Sequence, residues 1–266
     1  MNLKIALLQM SSQNSLHENF KSCEKLATQA KADGAEWVLL PENFSFLGNE
    51  DEKIKHAAQI EFETKSFLKT LSSDLGIWVL GGGFAVQSPE TQKVFNQSAL
   101  VNPNGQTVAE YQKIHLFDID LPQLKLQESK TVIAGKDLVT VALRNWTVGF
   151  SICYDVRFPE LYRALTSQGA NILTVPAAFT VPTGLAHWHT LLRARAIENQ
   201  CYVLAPAQTG RHSATRESFG HSLVIDPWGG ILADAGEEVG YVMVDLDWQR
   251  LCEVRKNMPV LTHKTM

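Results

Sequence analysis

The stretch GAEWVLLPENF, residues 34–44, indicates the architecture because its pattern recurs as GANILTVPAAF at residues 169–179. Each copy reads as an apolar strand that a proline ends. Further along each half, SALVNP at 98–103 matches SLVIDP at 222–227. Two similar halves, each with helices on one face of a sheet, can bury their free faces on each other. The sequence therefore predicts an α/β (α+β) fold, a four-layer α-β-β-α sandwich of two mixed sheets with internal pseudo-twofold symmetry.

Hydrophobic periodicity and turn residues predict the elements around this repeat. No linker rich in proline, glycine or serine separates the halves, so residues 1–266 are predicted to form a single domain. Gly81–Gly83 lack the lysine of a phosphate loop and indicate close backbone packing. Residues 118–137 read as a long irregular stretch, which in a compact domain is usually functional. The predicted elements are strands 3–8, 37–40, 77–80, 97–101, 106–111, 138–143, 146–152, 171–175, 202–205, 220–225, 231–233 and 241–246, and helices from Asn14 or Ser15 to Gly34, over 63–74, 159–168 and 183–199, and after a capping Asp247.

Composition excludes several classes of protein. The 266 residues are 45% hydrophobic and carry a net charge of -4, so no basic field attracts nucleic acid or an acidic membrane. The opening MNLKIALLQM lacks the pattern of a signal peptide, and no apolar run reaches membrane-spanning length. The cysteines match no disulfide or zinc spacing, which favours a reduced, cytoplasmic enzyme. These cysteines are Cys23, Cys153, Cys201 and Cys252.

The stretch NWTVGFSICYDVRFPE, residues 145–160, predicts a buried strand, a sharp turn and a helix with Pro159 in its first turn. Cys153 stands at the end of the strand, where free backbone N–H groups face whatever its side chain attacks. A nearby cation or helix N-terminus would favour the thiolate. A lone cysteine is more often a buried packing residue, so the choice between these interpretations depends on the partners of Cys153.

Two further side chains give Cys153 the partners that amide cleavage needs. Glu42 follows the strand at 37–40, at the edge where open sheets place their chemistry, although an exposed loop carboxylate is the alternative interpretation. Lys113 follows the predicted hairpin of strands 97–101 and 106–111. A thiolate can attack a carbonyl, a carboxylate can carry the proton, and a cation can stabilise the oxyanion.

Three motifs resemble the signatures of the nitrilase, or carbon–nitrogen hydrolase, superfamily. They are PENF at 41–44, YQKIHLFDID at 111–120 and CYDVRFPE at 153–160. The resemblance runs through nearly the whole chain. It implies an α-β-β-α sandwich, commonly dimeric, that uses no cofactor and no metal and hydrolyses a non-peptide C–N bond through a cysteine thioester.

The same resemblance implies a role for each site residue. Glu42 is expected to be the general base, Lys113 to stabilise the oxyanion and Cys153 to be the nucleophile. Glu128 matches the second glutamate of the family, which positions the leaving group or the lysine. The backbone N–H of Tyr154 is expected to be the second oxyanion donor.

Segments of the second half are similar to the deaminated glutathione amidases. This similarity implies a small-molecule substrate, an α-keto acid amide bearing cysteinylglycine, which is hydrolysed to 2-oxoglutarate and the dipeptide. The related omega-amidases, which cleave 2-oxoglutaramate, are the alternative, and they differ in these segments. The segments are FTVPTG at 179–184, AHW at 186–188, RARAIENQCYV at 193–203 and AQTG at 207–210.

An anionic keto acid needs a cation or N–H groups to bind its carboxylate. We favour Arg211 and Arg216 because they lie in a loop with glycine and serine near the second hairpin. Phe179, Thr180 and Thr183 are expected to line the pocket. The full set of arginine candidates is Arg157, Arg193, Arg195, Arg211 and Arg216.

Two rival functions come from other classes. A metal-dependent hydrolase is suggested by His187, His189, His212 and His221, but His187 and His189 diverge on one predicted helix and no HExxH pattern is present. A non-catalytic binding protein on the same fold is the second rival. It predicts a slowly reacting Cys153, whereas a thiolate paired with lysine would react with iodoacetamide faster than the other cysteines.

Overall fold

The computed structural model describes residues 2–121 and 124–265, which form sixteen strands and six α-helices. The strands are β1 Leu3–Gln9, β2 Trp37–Leu39, β3 Trp78–Gln87, β4 Val94–Val101, β5 Thr107–Gln112, β6 Asp118–Leu121, β7 Leu124–Gln127, β8 Thr140–Leu143, β9 Trp146–Phe150, β10 Ile172–Thr174, β11 Tyr202–Ala205, β12 Thr209–Arg211, β13 Glu217–Phe219, β14 Leu223–Ile225, β15 Ile231–Asp234 and β16 Gly240–Leu246. The α-helices are α1 Leu16–Ala32, α2 Glu50–Lys55, α3 Ala57–Leu75, α4 Pro159–Ser167, α5 Val181–Asn199 and α6 Trp248–Asn257. Among the described residues, no helix is long and apolar enough to cross a membrane.

Two six-stranded mixed sheets carry the predicted symmetry. The first has the order β16-β1-β2-β3-β4-β5 and the second the order β8-β9-β10-β11-β14-β15. Along either order the five pairings run antiparallel, parallel, parallel, antiparallel and antiparallel. The repeat in the sequence therefore corresponds to a repeat in topology, and the pseudo-twofold prediction is confirmed.

Strand β1 illustrates the four layers. Ile5 and Leu7 point into the core between the sheets, where they join residues of the second sheet such as Phe150. Ala6 and Leu8 point to the opposite face and pack in a second core with residues of α1 and α3. Because side chains alternate along a strand, burial on both faces requires a continuous apolar run, as LKIALLQ provides. The predicted sandwich is confirmed.

The glycines at 81–83 allow close approach of neighbouring backbone, as the sequence predicted. A Cβ added to Gly82 would lie 1.9 Å from the carbonyl oxygen of Leu40. Strand β3 continues through these glycines to Gln87, so the predicted end at residue 80 was wrong. The low strand propensity of glycine explains that error, because ladder pairing with β4 outweighs it.

The prediction of an irregular stretch over 118–137 was also wrong in its first half. The hairpin β6–β7 and a 3₁₀ turn at Glu128–Lys130 occupy it, while residues 122 and 123 lie outside the described part. The hairpin β12–β13 and helix α2 were likewise not predicted. The predicted helix caps are present. The Ser15 side chain accepts a hydrogen bond from a backbone N–H at the start of α1, and the Asp247 side chain does so at the start of α6.

Candidate active site

Cys153 stands at a sharp bend between β9 and α4. Its φ of 49° lies in the left-handed region, which costs free energy for a residue with a Cβ and is kept only where the surroundings enforce it. The backbone N–H of Cys153 donates to the carbonyl of Pro176 at 2.9 Å, which ties the bend to the end of β10. A 3₁₀ helix, Cys153–Arg157, begins here, and the N–H of Tyr154 lies in its first turn. The thiol is thus held rigidly, with 6% of the residue exposed.

Glu42 lies just beyond β2 and is 3% exposed. Its Oε1 accepts from Asn96 Nδ2 at 2.8 Å and from Lys113 Nζ at 3.1 Å, and its Oε2 accepts from the backbone N–H of Ala178 at 2.9 Å. Burial alone would raise the pKa of Glu42, but the Lys113 charge and hydrogen bonds from Cys153, Lys113 and Asn96 hold that pKa below its ordinary value of 4.5. Glu42 is therefore an ionised carboxylate in the resting site.

Lys113 follows β5 and is 1% exposed, so its ammonium depends on protein partners. Its Nζ donates to both carboxylate oxygens of Glu128, at 3.0 and 2.9 Å, as well as to Glu42. Burial opposes the charged form, but Glu128, then Glu42 and Cys153, raise the pKa of Lys113 well above its ordinary value. Glu128 is itself fixed by the N–H of Phe117, which donates to its Oε2 at 2.6 Å. The ammonium is thus held in place between two carboxylates.

Opposing effects determine the protonation of Cys153. Burial, then the neighbouring Glu42 charge, raises the pKa of the Cys153 thiol well above its ordinary value. The Lys113 charge and the N–H of Ala178 act in the opposite direction and do not overcome them. Lys113 thus favours the thiolate, as expected, but burial and the Glu42 charge outweigh it. The site holds a neutral thiol beside an ionised carboxylate, which is the arrangement of a nucleophile with its general base.

Asp155 links the segment around Lys113 to the bend at Cys153, although the sequence analysis did not identify it as a site residue. This side chain is fully buried. Its Oδ2 accepts from the hydroxyl of Tyr111 at 2.7 Å and from the N–H of Ile152 at 2.8 Å. Its Oδ1 accepts from the N–H of His115 at 2.9 Å and lies 2.7 Å from Nδ1 of that ring. Because these partners flank Lys113 and Cys153 in sequence, the carboxylate fixes one relative to the other.

The predicted pocket residues of the Phe179 segment lie next to the site. Phe179 is 5% exposed and follows Ala178, whose N–H binds Glu42. The guanidinium of Arg157 lies 5.3 Å from the centre of the Phe179 ring. Thr180 and Thr183 share a hydrogen bond of 2.8 Å between their hydroxyls at the start of α5. The threonine hydroxyls therefore bind each other at the edge of this segment.

The two favoured arginines differ in their contacts. Arg216 Nη1 lies 3.7 Å from Oε1 of Glu50, and Oε2 of Glu50 accepts from Thr131 at 2.7 Å. Since Thr131 follows Glu128 by three residues, Arg216 lies on the Glu128 side of the site. Arg211 is exposed, and its carbonyl accepts from Gln13 Nε2 at 3.2 Å.

Comparison with known proteins identifies the family of this chain. A family model described as "Carbon-nitrogen hydrolase" matches residues 4–256. The chain belongs to the carbon–nitrogen hydrolase family. The predicted family and fold are thus confirmed, as is the prediction of an enzyme that hydrolyses carbon–nitrogen bonds.

Individual relatives of this carbon–nitrogen hydrolase agree along its whole length. A Synechocystis protein named deaminated glutathione amidase is 50% identical over 263 residues, which cover 97% of each chain. The crystal structure of C. elegans NitFhit has a TM-score of 0.95 and 41% identity, covering 99% of this chain and 65% of that one. A variant of an amidase from Nesterenkonia sp. AN1, described with acrylamide added at its active-site cysteine, has a TM-score of 0.81 and 26% identity, covering 97% of this chain and 98% of that one.

Proposed function

We propose that this carbon–nitrogen hydrolase is an amidase that cleaves a linear, non-peptide amide through a thioester on Cys153. The observation that carries the proposal is the buried ion-pair cluster beside the thiol. Lys113 is held by Glu42 at 3.1 Å and by Glu128 at 2.9 Å, in a site where one carboxylate also faces the sulfur. Burying charged side chains costs free energy unless each has a partner, so such clusters often mark functional sites. Amide hydrolysis gives each of these charges a catalytic role.

In the first half-reaction, Glu42 accepts the thiol proton as Sγ of Cys153 attacks the carbonyl carbon. The carbonyl oxygen becomes an oxyanion, which the ammonium of Lys113 and the N–H of Tyr154 stabilise. The C–N bond then breaks, and Glu42 returns the proton to the departing nitrogen. The products are a free amine, or ammonia, and a thioester on Cys153.

In the second half-reaction, Glu42 accepts a proton from a water molecule that attacks the thioester carbonyl. The same two donors stabilise the second oxyanion. The C–S bond breaks, the sulfur regains a proton, and the carboxylic acid leaves. The role of Glu128 is to hold Lys113, because both of its oxygens bind that ammonium.

The proposed substrate is deaminated glutathione, an α-keto acid amide, which would give 2-oxoglutarate and cysteinylglycine. The name of the Synechocystis relative at 50% identity supports this choice. Phe179, Thr180 and Thr183 are proposed to line the pocket, with Arg211 and Arg216 for the substrate carboxylate. Arg216 has the better support, since Glu50 holds it on the Glu128 side.

The remaining parts of the proposal concern the whole chain. We infer a single domain over residues 1–266, a cytoplasmic homodimer, and catalysis without a cofactor. The rival non-catalytic protein would have no use for a nucleophile and base packed together in the core. The rival metal-dependent hydrolase would leave the buried cluster of Glu42, Lys113 and Glu128 beside the thiol without a chemical role.

A panel of four substrates tests the proposal: deaminated glutathione, 2-oxoglutaramate, an N-carbamoyl amino acid and a simple nitrile. Cysteinylglycine release indicates the proposed substrate, whereas ammonia from 2-oxoglutaramate indicates an omega-amidase. Cys153→Ala should abolish turnover and leave the fold intact, and Cys252→Ala, at an exposed cysteine, should change neither. Lys113→Ala should lower kcat about 100- to 1000-fold. Turnover retained by Cys153→Ala would overturn the mechanism.

A further inference from the structure

Three side chains from distant parts of the sequence meet where α5 lies next to the ends of β14 and β15. His189 lies on this helix, His221 just before β14 and Asp234 at the end of β15. Nε2 of His189 lies 3.0 Å from Oδ2 of Asp234, and Nδ1 of His221 lies 2.9 Å from Oδ1. One donor atom of each residue lies within 4.8 Å of the other two. Roughly a third of the His189 and Asp234 side chains is exposed, so an ion from solvent can reach them.

The backbone and the neighbouring rings fix His221 in this arrangement. His221 has a φ of 56°, a left-handed conformation that its surroundings must enforce. Its N–H donates to Gly236 at 2.7 Å, and its carbonyl accepts from Nε1 of Trp188 at 2.8 Å. The ring of Phe219 stacks on the imidazole, with centroids 4.5 Å apart. The N–H of Gly236 also donates to Oδ1 of Asp234 at 2.9 Å, which orients the carboxylate.

We propose that His189, His221 and Asp234 form a binding site for a divalent ion of the zinc class. Two imidazole nitrogens and one carboxylate oxygen are a ligand set that Zn²⁺ takes with water in the fourth position. Ligand atoms about 2.1 Å from a tetrahedral ion lie about 3.4 Å apart. Oδ2 of Asp234 lies 3.0 Å from Nε2 of His189 and 3.2 Å from Nδ1 of His221, so both distances need to open by only a few tenths of an ångström.

The sequence named His189 and His221 among four candidate histidines, but it did not separate them from the other two or identify Asp234. His187 and His189 point to different sides of α5, as expected, and His187 lies 3.3 Å from Arg157 instead. His212 is buried between Ser12 and Ser218. The partners of His189 are 32 and 45 residues away and reach it only through the second sheet. The proposal does not depend on the amide chemistry at Cys153.

The test is a titration of the chelator-treated, full-length protein with Zn²⁺ in a calorimeter, repeated with Co²⁺ in a spectrophotometer. We expect one ion per chain, and Co²⁺ absorption without the charge-transfer band of a thiolate ligand. His189→Ala and His221→Ala should each weaken binding by about tenfold or more, because a three-ligand site loses a ligand. Asp234→Asn keeps the shape of the side chain and should weaken it as well. His187→Ala is the matched control on the same helix and should bind as the unchanged protein does.

Each other outcome counts against the site. Absence of binding at micromolar protein with equimolar Zn²⁺ would mean that the three residues form a hydrogen-bonded cluster only. A thiolate band with Co²⁺ would place the ion at a cysteine, and an affinity unchanged in both histidine variants would place it away from these residues; either result overturns the proposal. Thermal unfolding of every variant in chelator, compared with the unchanged protein, shows whether weakened binding reflects a lost ligand or a lost fold.

Discussion

Replacing Asp155 with asparagine tests whether one buried carboxylate fixes the geometry of the site. Its two oxygens accept from Tyr111, from Ile152 and from the N–H of His115, and also face the His115 ring. In whichever orientation the asparagine amide settles, its NH₂ group faces a backbone N–H, that of Ile152 or that of His115. Two donors cannot bond to each other, so one backbone N–H loses its acceptor inside the core.

The magnitude follows from these four contacts. A buried N–H without an acceptor costs about 1–3 kcal/mol. The other three contacts change from charge-assisted to neutral, which loses about 1 kcal/mol each. Asp155→Asn should therefore lower the free energy of unfolding by about 4–6 kcal/mol. Because Cys153 and Lys113 lose their common anchor, kcat should also fall by about 100-fold, with a much smaller change in KM.

Urea unfolding and steady-state kinetics measure both effects, with Asp120→Asn as the matched change of carboxylate to amide. The Asp120 side chain is 71% exposed and pairs with Lys125 at 2.6 Å, so its loss should cost less than about 1 kcal/mol. Folded Asp155→Asn protein with unchanged kcat would refute the positioning role. Unfolding free energies that agree for the two variants within 1 kcal/mol would refute the hydrogen-bond reasoning.

Three further predictions concern the same site. Gly83→Ala puts a Cβ 3.1 Å from Cγ of Glu42 and should lower kcat/KM by about 100-fold, whereas Gly240→Ala, with open space around its Cβ, should not. Because the pKa of Glu42 is depressed in the folded protein, its ionised form stabilises the fold above pH 4.5, and this stabilisation is lost as the pH falls through the pKa of the folded state. The free energy of unfolding and kcat/KM should therefore both fall in acid. The pKa of Lys113 is raised, so the stabilisation from its ammonium should persist until the pH exceeds 10.5. Alkylation of Cys153 by iodoacetamide, followed by mass spectrometry, should accelerate only above pH 9, and a rate already constant at pH 7 would indicate a thiolate.

The sequence predicted the elements whose signal is local. The strand–proline repeat at 34–44 and 169–179 gave the two sheets, because an apolar run ended by proline is recognisable in any context. Helix α2 buries none of its residues, so it has no apolar stripe for periodicity to detect. The hairpin β6–β7 is similarly short and mostly exposed where its side chains are described.

The site was predictable in its side chains and not in its backbone. Glu42, Lys113 and Cys153 belong to motifs, and the structure brings them together. The N–H of Ala178 has no sequence signature, because any residue except proline offers one, and only the apposed halves bring it to Glu42. The direction in which the pKa of Cys153 shifts was not predictable for the same reason, since burial outweighs the lysine charge and burial is a property of the packed sheets.

The active site forms only once although the fold has pseudo-twofold symmetry, because the two halves differ at the equivalent positions. Glu42 pairs with Gly83 beyond β2, and Ala177 pairs with Ala207 at the equivalent place beyond β10. The next N–H in the first half, that of Asn43, stays within its half and donates to the carbonyl of Gly83. Its counterpart in the second half, Ala178, instead crosses to Glu42 at 2.9 Å. A second carboxylate at position 177 would lack a cation of its own, and it would give the N–H of Ala178 a different partner. The alanine of the second half is therefore as necessary to the site as the glutamate of the first, because a single ionised base beside the thiol requires that the symmetry be broken here.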